Sequence, residues 1–239
     1  MKNNIRVYNY VIYSFYGQMK NRILISLLVL LTVIGVQFVN NIWFEQALVN
    51  IYAGVSFEEA KEGVFTFPVI WLFVQILPFY MLGNSFSWNI AKADINVIGR
   101  LKQVSKNYLW LVKFSVIVTF CMGYSVLMFL VMNVIELGKL FNAYGVEKIT
   151  AMMLVLIFMV TIFCWLDYYF SSSIAFLVIA IFYGVTVYIK TPYFFLSVAM
   201  GSRYDIYYAE LGSFLILIEV VLLIISYFYG KWMYRKVEY

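Results

Sequence analysis

The 239-residue chain is 64% hydrophobic and 21% aromatic, and only 12% of its residues are charged. Soluble domains carry roughly a quarter charged residues and under half apolar ones, so this composition belongs in a bilayer and excludes a soluble enzyme. The absence of histidine removes the commonest general base, proton relay and metal ligand together, and the net charge of +5 matters mainly through its distribution.

Residues 3–20 read as an interfacial amphipathic helix. Ile5, Tyr8, Ile12, Phe15 and Met19 recur at three- and four-residue spacing, while Arg6, Asn9, Tyr13, Gly17 and Lys20 fall on another face, a pattern suited to the membrane surface. A disordered basic leader is the alternative. The first span covers about 23–39, and Asn40-Asn41-Ile42-Trp43 after it is not the small-residue site of a cleavable signal. The second span covers about 64–82, with Pro68 and Pro78 inside it, and the third about 111–132. The fourth, fifth and sixth lie near 149–166, 174–189 and 214–229. Each is long enough, some narrowly, for roughly 30 Å of hydrocarbon, and none alternates as a barrel strand would. Cys121 and Cys164 both fall inside apolar runs, where a thiol behaves as a small hydrophobe.

Orientation follows the lysines and arginines. Twelve fall in the N-terminal segment, the link between spans two and three, the turn after span four and the C-terminal tail, against five in the intervening segments. The expected fold is therefore an all-α membrane protein, a single transmembrane domain of six helices preceded by the interfacial helix, with both termini cytoplasmic.

Two connections stand out. The cytoplasmic segment 84–113 is 30 residues long, far longer than a helical hairpin needs, and it concentrates basic residues around Gly99. It suits the docking of a cytoplasmic partner; a charged loop that only fixes topology and touches anionic lipid is the other reading. The external segment 190–212 combines Pro192, Gly201, Arg203, Asp205 and Glu210 with many aromatics. It reads as re-entrant, too apolar for an exposed loop and too broken for a span, with a plain aromatic-anchored loop as the alternative.

Glu219 is the one carboxylate well inside a span. At that depth an ionisable group costs about 3 kcal/mol and faces protein or water, so a functional role and a quiet interhelical hydrogen bond both stay open. Asp167 sits at a span end, where capping the Ser171-Ser172-Ser173 turn accounts for it. Enzyme readings fail on inventory: Tyr204-Asp205 has no Gly-x-Gly-Asp partner, Glu58-Glu59 has no accompanying arginine or histidine, and serine–histidine pairs are impossible. The chain is read as a non-enzyme with no cofactor and no metal site, and nothing in it points to nucleic acid.

In layout the whole chain resembles the membrane subunits of the ABC type-2 exporter permease family. Such subunits have an amphipathic first helix, six spans, a long cytoplasmic link after the second and a polar re-entrant segment before the sixth. The family's coupling pattern is an acidic residue, then Arg-x-x-x-x-Ser/Pro, then Lys as span three begins. Asp94, Arg100, Ser105 and Lys113 fit it loosely, with Lys102 and Lys106 adding charge. The resemblance implies that these six residues meet a separate ABC ATPase, and that two permease subunits, identical or paralogous, join two ATPases. It also implies that Arg203, Asp205, Glu210 and Glu219 lie along the translocation path or outer gate. The absence of a Gly-x-x-x-x-Gly-Lys phosphate loop places ATP and magnesium on the partner chain. The small size and spelling are similar to permeases found beside antimicrobial-peptide genes in Gram-positive bacteria, which implies a cell-membrane exporter of an amphipathic peptide or lipid-like cargo, used for self-immunity. Two other classes remain open at this point: a substrate-capturing subunit of a vitamin-type importer, and a non-transporting immunity or sensor protein.

Overall fold

The structure, a computed structural model, describes residues 2–40, 53–63, 65–94, 105–135, 143–191, 194–204, 206 and 214–237. Among them there is no strand. The helices are α1 (Lys2–Asn40), α2 (Phe57–Glu62), α3 (Val69–Leu82), α4 (Ser85–Trp88) running into a π-helical turn (Asn89–Asp94), and α5 (Lys106–Ile135). They continue with α6 (Ala143–Tyr169), α7 (Ser172–Tyr188), a 3-10 turn (Phe195–Ala199) and α8 (Phe214–Arg235).

Among the described residues five helical stretches are long and apolar enough to cross a membrane: Arg6–Val36, Val69–Ala91, Lys106–Val131, Val146–Tyr169 and Ile216–Arg235. The protein is membrane-embedded. The expected fifth span is α7, also apolar but only 17 residues long, about 25 Å at 1.5 Å per residue and short of the hydrocarbon thickness.

The N-terminal region differs from expectation. Instead of an interfacial helix 3–20 and a separate span 23–39, one helix runs without a break through 39 residues. No proline separates the two parts, and Gly17 alone weakens a helix without ending it. The buried stripe is also rotated. Val7, Val11, Phe15 and Met19 are buried, whereas Tyr8 is exposed and Ile12 only half-buried. Tyrosine fits at the edge of an apolar stripe because its hydroxyl reaches water while its ring packs.

α6 is the core helix, packed against α3, α5, α7 and α8, while α1 covers α3 and the π-helical turn. α5 and α8 run antiparallel: Lys106 Nζ donates to Val237 O, Arg235 Nε to Asn107 Oδ1, and Trp110 Nε1 to Tyr227 O. The indole of Trp110 lies where a side chain at Gly230 would be, since a Cβ there would overlap the ring.

Pro78 lies inside α3 and has no N–H to give the Val74 carbonyl one turn earlier. Tyr124 of α5 supplies the missing donor, its hydroxyl 2.7 Å from Val74 O.

Candidate functional site

Polar side chains gather at the two ends of the bundle. The first end is built from α1, α4, the π-helical turn, the start of α5 and the α6–α7 turn. Lys113 is fully buried there, and its ammonium donates to Asn89 Oδ1 while lying 5.5 Å from the Phe15 ring centroid and 5.9 Å from that of Phe86. Asn89 Nδ2 in turn donates to Ser14 Oγ at 2.9 Å. Lysine, amide and hydroxyl thus join α5, the π-helical turn and α1 in one chain of bonds, and the two rings add cation–π attraction to a charge withdrawn from water.

Asp167 is buried beside this network. It accepts from the Ser87 amide at 3.3 Å and from the Ser172 hydroxyl, so it ties α4 to the α6–α7 turn. The cap of α7 is Ser171, whose side chain accepts from the Ile174 amide at 3.4 Å. The expected capping role of Asp167 therefore passes to Ser171, which has the extended backbone that a cap requires.

Three residues of the expected coupling set prove to have work inside the fold. Ser105 caps α5, accepting from the Tyr108 amide at 3.2 Å. Lys106 donates to the carbonyls of Arg235 and Val237 at the end of α8. Lys113, expected at the membrane surface facing a partner, is buried between helices. Arg100 and Lys102 lie outside the described residues, and Asp94 is described only as the last residue of the π-helical turn.

The other end is organised by Arg203. It is fully buried, in a short helical turn (201–204) after the buried 3-10 segment. Nη1 donates to the carbonyls of Thr186 and Ile189, both at 2.9 Å, Nη2 to Val187 O at 2.8 Å and Nε to Val55 O at 2.6 Å. The Phe57 ring centroid is 4.8 Å from the guanidinium carbon. Burial lowers the Arg203 pKa to about 10 despite the opposing field of Glu59, so the group stays charged at neutral pH. Arg203 closes the carbonyl end of α7 and fastens the segment before α2 to it. Trp71 Nε1 donates to Ala199 O at 2.9 Å and fixes the 3-10 turn against α3. Asp205 and Glu210 lie outside the described residues.

Glu219 faces the bundle from α8. It is almost fully buried, and neither carboxylate oxygen has a hydrogen-bond partner among the described residues. The antiparallel register of α8 with α5 sets it near the level of Cys121 and Ser125, about two turns beyond the Phe114–Tyr227 ring contact. Of the two roles left open for it, the quiet interhelical hydrogen bond is not formed among the described residues.

Sequence reasoning missed Arg22, Asn89 and Tyr124. Arg22 donates to Leu82 O at 3.1 Å and Asn84 Oδ1 at 2.7 Å, closing the carbonyl end of α3 where Gly83 has φ 47°. The only advance signal was an arginine at the start of a span. No protein-family model, curated protein or solved structure matches the chain.

Proposed function

We propose that the chain is the permease subunit of an ATP-driven exporter. It would cross the cell membrane six times with both termini in the cytoplasm and move an amphipathic peptide or lipid-like cargo outward. The observation that carries this reading is the anchoring of both feet of the link between the π-helical turn and α5. The leading foot is bonded through Asn89 to Lys113 and Ser14, and the trailing foot through Lys106 to the end of α8. A push on residues 95–104 would thus reach α1, α5 and α8 together, which is what turning the closure of an ATPase into a tilt of helices requires. A π-helical turn at this place agrees, because such turns concentrate at functional sites.

ATP and magnesium would be bound by a separate ABC ATPase, and one six-helix bundle would form half of a pathway completed by a second copy or a paralogue. Export of a membrane-active peptide would serve self-immunity.

The test is purification of the chain with its neighbours from native membranes, followed by reconstitution in vesicles. The expected result is an ATPase bearing a phosphate loop at near one copy per permease, and cargo movement that needs ATP. Exchanging Arg100→Glu and Lys102→Glu together is expected to abolish movement while the protein still folds and inserts. Full transport by that variant removes the docking role, and recovery of the chain alone after crosslinking removes the exporter reading.

A further inference from the structure

Between α6 and α8 lies a groove of about 720 Å³, open toward the side and lined by Phe158, Ile162 and Leu166 of α6 and Ile225, Tyr229 and Met233 of α8. Its lips are apolar and exposed, among them Ile225 at 52% and Phe170 at 66%, as expected of a surface bathed in hydrocarbon. The two aliphatic hydroxyls in its wall are satisfied by their own helices, Thr161 bonding Ile157 O and Ser226 bonding Leu223 O. Trp165 is the exception. It is 4% exposed and lines the groove, and its Nε1 is buried with no acceptor among the described residues. A buried N–H left unpaired is costly and calls for an acceptor.

Charge enters at one mouth. Lys236 follows Met233 by one turn, joined to it by an amide–carbonyl bond of 3.0 Å, and its ammonium lies over the Trp232 ring, 3.5 Å from the centroid. The groove thus has, in order along the helices, a cation one turn beyond the lining Met233, the Trp165 indole in its wall with its N–H covered and unpaired among the described residues, and about 10 Å of apolar wall from Trp165 back to Phe158.

From this order of cation, donor and apolar wall we infer that the α6–α8 groove binds one anionic glycerophospholipid of the surrounding bilayer. Its phosphate meets Lys236, an ester carbonyl accepts from Trp165 Nε1, and an acyl chain lies along Ile162 and Phe158. A phosphodiester, an ester and a chain follow one another in that sequence in every diacyl lipid of this class. The inference does not depend on the transport reading, since a lipid held here would stiffen the α6–α8 contact in any membrane protein.

The experiment takes the full chain out of vesicles of mixed phosphatidylglycerol and phosphatidylcholine and records retained lipid by native mass spectrometry. The expected result is one retained phosphatidylglycerol per chain in preference to phosphatidylcholine. Lys236→Glu is expected to weaken that preference about 5- to 30-fold, the range for removing or reversing one cation near a membrane surface. Ether-linked phosphatidylglycerol, which has no ester carbonyl, is expected to bind more weakly than the ester form to the natural chain and equally to Trp165→Phe. Ile225→Trp, which fills the groove, is expected to cut retention of both lipids. Retention of no lipid, of a peptide instead, or of lipid in amounts that none of these changes alters overturns the inference.

Discussion

Replacing Tyr124 with phenylalanine removes one hydroxyl and tests how α3 tolerates a proline in its middle. Pro78 leaves the Val74 carbonyl without its helical donor, and Tyr124 Oη fills the place at 2.7 Å. No water replaces that donor in hydrocarbon. A net interhelical bond in membranes averages about 0.6 kcal/mol and reaches about 1.7, and stranding a buried acceptor costs about 1–3 kcal/mol. Tyr124→Phe should therefore destabilise the protein by about 1–2 kcal/mol. In a Pro78→Ala background residue 78 regains an N–H, and the Val74 carbonyl pairs within α3. The same tyrosine change should then cost on the order of 0.5 kcal/mol, a coupling of about 1 kcal/mol between two residues on different helices. Reversible unfolding of the four proteins in mixed lipid–detergent micelles measures both values. An equal cost in the two backgrounds would refute the compensation.

Arg203→Lys keeps the charge, but a single ammonium cannot span the carbonyls of residues 55, 186, 187 and 189. A loss of about 2–4 kcal/mol is expected, and Arg203→Leu should lose more; an unchanged unfolding midpoint would place the guanidinium elsewhere. Gly230→Ala drives a Cβ into the Trp110 ring and should cost about 1–3 kcal/mol. The overlapped atoms belong to the six-membered half of the indole. Trp110→Phe together with Gly230→Ala should thus destabilise by less than the sum of the two changes, and strict additivity in the same unfolding measurement would count against this contact.

The helices were legible because hydrocarbon demands long apolar runs, and every run yielded an apolar helix. Their ends were harder to read. α5 begins at Lys106, about a turn before the apolar run near Leu111, because Ser105 supplies a cap and the end of α8 supplies an acceptor for the lysine. α1 was divided in two because its polar first half and apolar second half differ in composition, whereas a helix ends only where backbone hydrogen bonding fails. The polar contacts were least legible. Arg22 with Leu82, Asn89 with Ser14 and Arg203 with Val55 lie 60, 75 and 148 residues apart, and neither spacing nor composition pairs such partners. Depth in a span singled out Glu219, and the loose coupling pattern singled out Lys113. Neither signal shows whether a charge faces a partner or its own fold.

The cations of this chain divide by what they contact. Arg22 closes the end of α3, Lys106 the end of α8 and Arg203 the end of α7, and in each case the cation comes from another segment. That placement answers two needs at once. The last carbonyls of a helix carry a partial negative charge, and in a bilayer they cannot all be left to water. With these three, the buried Lys113 and Arg235, which bonds Asn107 of α5, set aside, the basic residues still divide eight to four between the two sets of segments. The bias behind the proposed orientation therefore survives the removal of these five. Reversing charge at Arg100 and Lys102, beside reversal at the helix-fastening Arg22 and Arg203, tests whether the proposed coupling and the folding draw on different cations.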